Sequence, residues 1–466
     1  MTADLAIVGV YFFIMLMVGL WVYRAGRASR SASFFVADRK GSSLLITGSL
    51  LATVVGASAT VGMAGWGGYL KGLSGAWWLL AGTIGLLVLS VFWARRVRGF
   101  GLYTLPELVG KQYGKGASLF ASVVIVVSWV GVIAAQISAA GAVLGVLISD
   151  SSTLTMVIPA LVFMAYTLLG AQYSIIRTDF IQSGILMVGI LVVLFLVLNK
   201  AGWIGGLRDS LGPEYFSFPV REGFGWYDLI SLLILTGATY VVGPDIYSRL
   251  FCAENENVAR VSALRVALII VPLAFAVVLI GMAAKVLFPD ISFDQAFPTV
   301  IRETLPLGVD GLVIAALLAA VMSSADTCLL TTSTIAAEDV WGQVFPGTGE
   351  AKRLAVSRVG IVVIGTAALM VAVETSRGVV DNLLLAYTVF TSGVVIPVLA
   401  GFYKDRLRVN SWGAMAAILG GGATGLVVEL KHIDNLDLLG LGVCVVLLFT
   451  VSWVTRALAR ENRLAV

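Results

Sequence analysis

Apolar runs of bilayer length recur from one end of this 466-residue chain to the other, and no other feature limits its possible folds so sharply. A helix that crosses a lipid bilayer needs about 20 predominantly apolar residues. Such runs fall at 4–24, 44–70, 74–94, 117–148, 152–171, 175–199, 226–250, 262–288, 309–340, 354–374, 379–402, 410–430 and 436–456. Hydrophobic residues make up 59% of the sequence and charged residues only 12%, against about 25% charge in soluble domains. Backbone groups in hydrocarbon have no water to bond, which favours helices as spanning structures. The expectation is an all-α polytopic protein of the cell membrane, with thirteen transmembrane helices and lipid against its outer faces.

An odd number of crossings puts the two ends on opposite sides. With Met1 outside, the basic clusters RAGRASR (24–30), ARRVR (94–98) and KDRLR (404–408) lie in the cytoplasm, as do Arg456, Arg460 and Arg463. Roughly three quarters of the Lys and Arg then fall inside, which by the positive-inside rule places the N-terminus outside and the C-terminus in the cytoplasm. The first apolar run lacks a small-residue cleavage site with a basic flank and reads as a retained helix. The longest connections, 200–225 and 286–308, both face outside, and FDQAFPTVIRETLP (293–306) suits a short surface helix.

Several functional classes drop out. The net charge of +4 follows the topology and marks no nucleic-acid surface. Cys252, Cys328 and Cys444 are scattered, with neither metal-site spacing nor a disulfide framework. The sole histidine, His432, sits in a short loop, and no Cys–His or Ser–Lys pair lies mid-membrane, so an enzyme is not expected. A channel should show a repeated filter motif with charged rings, and none is present. Nothing in the sequence speaks to oligomeric state.

Against this background the stretch AALLAAVMSSADTCLL (315–330) is out of place. Ser323, Ser324, Asp326 and Thr327 stand together inside an apolar span, where such residues are costly and default to a functional reading. On a helix, Ala320, Ser323, Ser324 and Thr327 share one face, at i, i+3, i+4 and i+7. Buried hydroxyls often bond back to carbonyls at i−4. A whole face of them can instead offer hard oxygen ligands to a small cation.

Two other spans carry the marks of broken helices. GSLLATVVGASATVGMAGWGGYL (48–70) contains Gly56, Gly62, Gly65, Gly67 and Gly68, and LTGATYVVGPDIYSRL (235–250) contains Gly237 and Gly243-Pro244. Proline removes a backbone donor and clashes with the preceding turn, and glycine weakens a helix by about 1 kcal/mol. Some of these glycines serve close helix packing. Their spacing by five helices matches an inverted repeat with a site at the midplane. The expected units are an extra helix and loop (1–43), a first five-helix repeat (44–200) and an external loop (201–225). A second repeat (226–403) and two further helices with a tail (404–466) complete the chain.

At this point the chain resembles the sodium:solute symporters, which have the LeuT-type 5+5 inverted-repeat fold. The resemblance spans nearly the whole chain. It rests on GASATVG (56–62), RTDFIQ (177–182), GPDIYSR (243–249), AAVMSSADTCLLTTSTIAAEDVW (319–341) and the PVLAGFY ending at Tyr403. It implies sodium-coupled import of a small polar organic solute by alternating access. Carried across, the main sodium ligands are the carbonyls of Ala57, Thr60 and Ala320 and the hydroxyls of Ser323 and Ser324. Some members have a second sodium site, which here would use Asp179, Ser323, Asp326 and Thr327. Serine is commoner where Asp326 stands, so this chain departs from the pattern. Two carboxylates overcharge a monovalent site unless one is protonated or paired. Arg177 or Arg249 could pair with Asp179. The alternative is a proton-coupled symporter of the same fold, with Asp326 or Asp179 as carrier.

The solute is expected at the midplane beside both breaks. The expected lining is Val61, Gly62, Met63 and Ala64, then Trp77, Trp78, Gln136, Ser138 and Tyr240, with Tyr387, Thr391 and Ser392 from the tenth repeat helix. Gln136 stands out, because a buried amide must find partners. No Arg or Lys lies mid-helix in any of the thirteen spans, so no fixed positive charge is expected to clamp a carboxylate. That favours a neutral or zwitterionic solute.

Overall fold

The computed structural model describes residues 2–26, 30–148, 153–306, 308–374, 378–431, 433 and 436–464. His432 and residues 27–29 of the first basic cluster lie outside the described residues. Helices carry the fold, and the described residues form only isolated bridges such as Gly41 to Ala253. The main elements are α1 (Thr2–Arg24), α2 (Ser43–Val54), α3 (Ser58–Lys71), α4 (Trp77–Phe92), α5 (Lys115–Ile148) and α6 (Leu154–Lys200). They continue with α7 (Trp226–Val242), α8 (Pro244–Cys252), α9 (Glu256–Leu287), α10 (Ala296–Thr304) and α11 (Val309–Ile335). The last are α12 (Glu350–Glu374), α13 (Val379–Phe390), α14 (Ser411–Leu430) and α15 (Leu439–Leu464).

Among the described residues, 11 stretches are long and apolar enough to cross a membrane, against the thirteen expected. Two of them each take in more than one expected segment. α6 has 47 residues, a straight length of about 70 Å at 1.5 Å per residue, and it covers both 152–171 and 175–199. It is divided at Ala171, whose φ of 53° is not helical. The stretch Ser58–Phe92 likewise joins α3 to α4. Between them Gly72 has φ 61°, and a Cβ there would lie 2.3 Å from the carbonyl oxygen of Tyr215. Only glycine fits that bend.

Burial sorts the helices into a centre and a rim. In α11 and its extension to Val344, 89% of the most apolar stretch is buried, against 28% in α1 and 17% in α15. α1 turns Phe13 and Trp21 outward, as a lipid-facing helix should. α11 packs against α2, α5, α6, α8 and α12 and has hardly any lipid face, which is why its polar residues are tolerated. The α3–α9 seam is built from backbone. A Cβ on Gly68 would lie 2.2 Å from the Val278 oxygen, and one on Gly281 would lie 2.0 Å from the Ala64 oxygen. Small residues here let two helices approach as side chains would forbid. α10 falls within the expected 293–306 surface helix, and its inner face buries Phe297 and Ile301.

Candidate ion and solute site

Both expected breaks are present. α2 ends at Val54 and α3 begins at Ser58, while α7 and α8 are parted at Gly243, whose ψ of 131° leaves the helical region. A helix end leaves its last carbonyls and first N–H groups without partners, so each break frees polar backbone at depth. The carbonyls freed at the end of α2 are those of Ala52 and Thr53. The Ser323 hydroxyl donates to the Ala52 oxygen at 3.1 Å and to Ala320 at 2.8 Å. The Ser324 hydroxyl donates to Ala52 at 3.1 Å and Thr53 at 3.0 Å. These oxygens form one buried cluster between α2 and α11.

Among the described residues, Ser323 and Ser324 donate to neither of the expected carbonyls, Ala57 and Thr60. Past the break it is the N–H groups that are freed, and carbonyls re-enter helical bonding. The Ala57 oxygen accepts from Gly62 N–H at 2.9 Å, and the Thr60 hydroxyl bonds the Gly56 oxygen at 2.8 Å. The Ala57 N–H donates to Gln136 Oε1 at 3.0 Å. Gln136 therefore does find a partner, and it is the orphan donor of the broken helix.

The second expected set is divided. Arg249 is fully buried, with 0% side-chain exposure, and its Nη2 lies 3.1 Å from Asp179 Oδ2. The same nitrogen donates to the Thr327 hydroxyl, and Nε donates to Thr53 Oγ1 at 3.3 Å. Ser49 donates to Asp179 at 2.6 Å. Arg177 instead stacks over Tyr173, 3.7 Å from the ring centre. Asp326 accepts from Thr167 at 2.9 Å. Among the described residues no hydrogen bond joins it to Arg249 or Asp179. Six residues past Ala320, Asp326 points off the hydroxyl face at 100° per residue. Of the two partners offered for Asp179, Arg249 is the one that pairs with it. It sits on the short half-helix after Gly243-Pro244, inside the protein and already paired.

Beside the two breaks lies a narrow, partly open cavity, with about 20 Å³ of space wide enough for water. Of the expected liners, Gln136, Tyr240 and Tyr387 face it, joined by Thr53, Ser324 and Asp245. Thr391 stands one layer back, its hydroxyl 3.0 Å from that of Thr239, which does line the cavity. Val61, Gly62, Met63 and Ala64 do not reach it, since they lie a turn or more beyond the break. Trp77 stacks on Phe218 at 5.2 Å and Trp78 packs edge-on to Trp66 at 5.8 Å, so both belong to aromatic packing away from the cavity. Ser138 is not among the lining residues. Ser392 packs into α14, where a Cβ on Gly425 would lie 3.0 Å from its hydroxyl. Sequence reasoning passed over Ala52, Thr53 and Asp245. The signal for each was position: last carbonyls before a break, and first side chains after one.

Two helices broken around buried oxygens, beside a narrow polar cavity, are the build of an alternating-access carrier. The sequence pattern of the sodium:solute symporter family matches residues 34–421. The sodium/glucose cotransporter 4 of Danio rerio is 27% identical over 91% of this chain and 71% of its own length. The sodium/myo-inositol cotransporter 2 of Sus scrofa is 26% identical over 91% and 69%. Among solved structures, a Na+-coupled sialic acid symporter in a substrate-bound outward-open state superposes with TM-score 0.81, at 18% identity, over 97% of this chain and 98% of its own. A nucleobase-cation-symport-1 family transporter superposes at 0.64, with 15% identity over 91% and 95%. The chain belongs to the sodium:solute symporter family, and is a multi-pass, sodium-coupled symporter of LeuT-type fold. The relatives are sodium cotransporters by name, and proton coupling finds no support among them.

Proposed function

We infer that the protein imports a small polar organic solute together with one sodium ion, held between the end of α2 and the hydroxyl face of α11. The observation that carries this is the convergence of Ser323 and Ser324 on the Ala52 and Thr53 carbonyls at the broken end. Half-helix ends and unwound carbonyls are where such carriers coordinate sodium. The ligand set proposed is the oxygens of Ala52, Thr53, Ala320, Ser323 and Ser324. The ion displaces the present hydroxyl protons toward other acceptors and ties α2 to α11. The second place, at Asp179 and Thr327, is filled by the Arg249 guanidinium, which supports a single sodium per cycle. The inverted repeats at 44–200 and 226–403 are the units proposed to rock about this site. The solute, neutral or zwitterionic, occupies the cavity lined by Gln136, Tyr240 and Tyr387.

In proteoliposomes, uptake is expected under a sodium gradient and not under a proton gradient, with a sodium Hill coefficient of about one. Ser323→Ala and Ser324→Ala should each raise the half-saturating sodium concentration. Removing one hydroxyl ligand costs about 1–3 kcal/mol, or about 5- to 150-fold. Unchanged sodium dependence in both variants defeats the assignment.

Orientation is tested independently. A cysteine replacing Asp209 is expected to react with an impermeant thiol reagent from outside intact cells, and one replacing Asp405 is expected not to. The native Cys252, Cys328 and Cys444 are all buried, so background labelling is low. Reversed labelling removes the N-terminus-outside arrangement.

A further inference from the structure

The cavity beside the breaks has one charged side chain among its lining residues, and it is acidic. Asp245 stands directly after Gly243-Pro244, in the first turn of α8, and lines the space together with Gln136, Tyr240 and Tyr387. Its carboxylate faces the backbone N–H groups of Asp245 and Ile246 at the start of α8. Oδ1 is buried and has no hydrogen-bond partner. Arg249, one turn along α8, is committed to Asp179, Thr53 and Thr327 and does not pair with it.

This arrangement changes what the half-helix can recognise. The N-terminus of a broken helix ordinarily presents a positive dipole end to an anionic group of the solute. Here the carboxylate of Asp245 already occupies that end and neutralises it. What remains is a buried carboxylate oxygen lacking a donor, on a side chain that lines the cavity together with Tyr240 and Tyr387. A buried acceptor without a partner is costly. A ligand group that donates to it and carries positive charge removes that cost, and tyrosine faces attract a cation as well.

We propose that Asp245 is the specificity-determining residue of the solute site and that it selects a solute bearing a cationic nitrogen, either a zwitterion or a monocation, over a neutral polyol. The proposal rests on the solute reading of this cavity given above. Oδ1 accepts from, or lies against, the nitrogen, and Tyr240 and Tyr387 flank it. Gln136, already accepting from the Ala57 N–H through Oε1, has its amide NH2 left to meet an oxygen of the solute. An acid-bearing solute meets no basic residue among the lining residues, so a carboxylate is tolerated only where its own ammonium accompanies it.

The test uses the full-length protein in proteoliposomes. Sodium-dependent uptake and thermal stabilisation are measured with proline and glycine betaine as zwitterions, choline as a monocation, and myo-inositol and glucose as neutral polyols. Nitrogen-bearing probes are expected to be taken up or to stabilise the wild type, and polyols to do so at least tenfold more weakly. Which nitrogen-bearing arm responds separates zwitterion from monocation. Asp245→Asn keeps the size and the capping capacity, and is expected to lower affinity for the responding probe at least tenfold. Asp245→Glu is expected to retain more of it than Asp245→Asn does. Binding of ²²Na+ without solute is read in parallel. Its loss in Ser324→Ala but not in Asp245→Asn is the expected pattern, and its absence from the wild type defeats the sodium reading instead. Preference for polyols, no response to any nitrogen-bearing probe with sodium binding intact, or undiminished affinity in Asp245→Asn each overturns the proposal.

Discussion

Replacing Arg249 by glutamine is expected to cost the folded protein about 3–5 kcal/mol, seen as a lower melting temperature in detergent and a smaller yield from membranes. Both partners of the Arg249–Asp179 pair are out of solvent, with side chains 0% and 1% exposed. Removing one leaves a carboxylate with only Ser49 to bond it, and an uncompensated buried charge is far more costly than a missing pair. The double variant Arg249→Gln with Asp179→Asn is therefore expected to recover most of the loss, because two neutral amides can bond each other. Asp179→Asn alone should be destabilised by a comparable amount. If the single and double variants melt together, the ion pair is not what holds α8 to α2 and α6.

Gly56→Ala is expected to lower sodium-driven uptake about 100-fold. A Cβ there would lie 2.1 Å from the Ser324 hydroxyl oxygen, 2.6 Å from its Cβ and 3.1 Å from Gln136 Oε1. It would push α11 away from the end of α2 and disturb the bond that Gln136 makes to the broken helix. Overpacking costs about 1–3 kcal/mol and a lost hydroxyl ligand about as much again. Two such terms together come to about 2–6 kcal/mol, a range that includes the roughly 2.7 kcal/mol of a 100-fold loss. Gly145→Ala is the control, since a Cβ there meets nothing within 4 Å. Uptake by Gly56→Ala within a few-fold of that control would show that the break can shift without penalty.

The helical, membrane-spanning class was legible because apolar length is a property of the sequence itself. The breaks were legible too, since Gly56 and Gly243-Pro244 act on local backbone. Which carbonyls accept from Ser323 and Ser324 was not. The expected carbonyls, Ala57 and Thr60, came from the family resemblance, and glycines are densest just past them, from Gly62 to Gly68. The seam with α9 is what needs those glycines, as Gly68 and Gly281 show. The carbonyls that face Ser323 and Ser324 belong to ordinary-looking residues, Ala52 and Thr53, and are free only because the helix stops after them. Arg249 was legible as one of two candidate partners for Asp179, but its complete burial was not. It lies near the end of its apolar run, where a basic side chain usually reaches water, and only the packing of α8 against α2 and α11 turns it inward. Asp245 carried no pattern at all beyond its place after a proline.

Thr53 gives its carbonyl to Ser324, its hydroxyl to Arg249 and part of its side to the cavity. The guanidinium so held has a bioenergetic meaning. Each elementary charge that enters with the solute draws about 2.3 kcal/mol from every 100 mV of membrane potential, equal to about a 50-fold concentration ratio. On the one-sodium reading, the protein contributes its second positive charge as a permanent fixture that never leaves with the cargo. The voltage then acts on one ion, and on the solute's own charge if it has any. A cell using this carrier gains a lower ceiling on accumulation than a two-ion exchange would set, and spends half as much sodium re-entry on each molecule taken up.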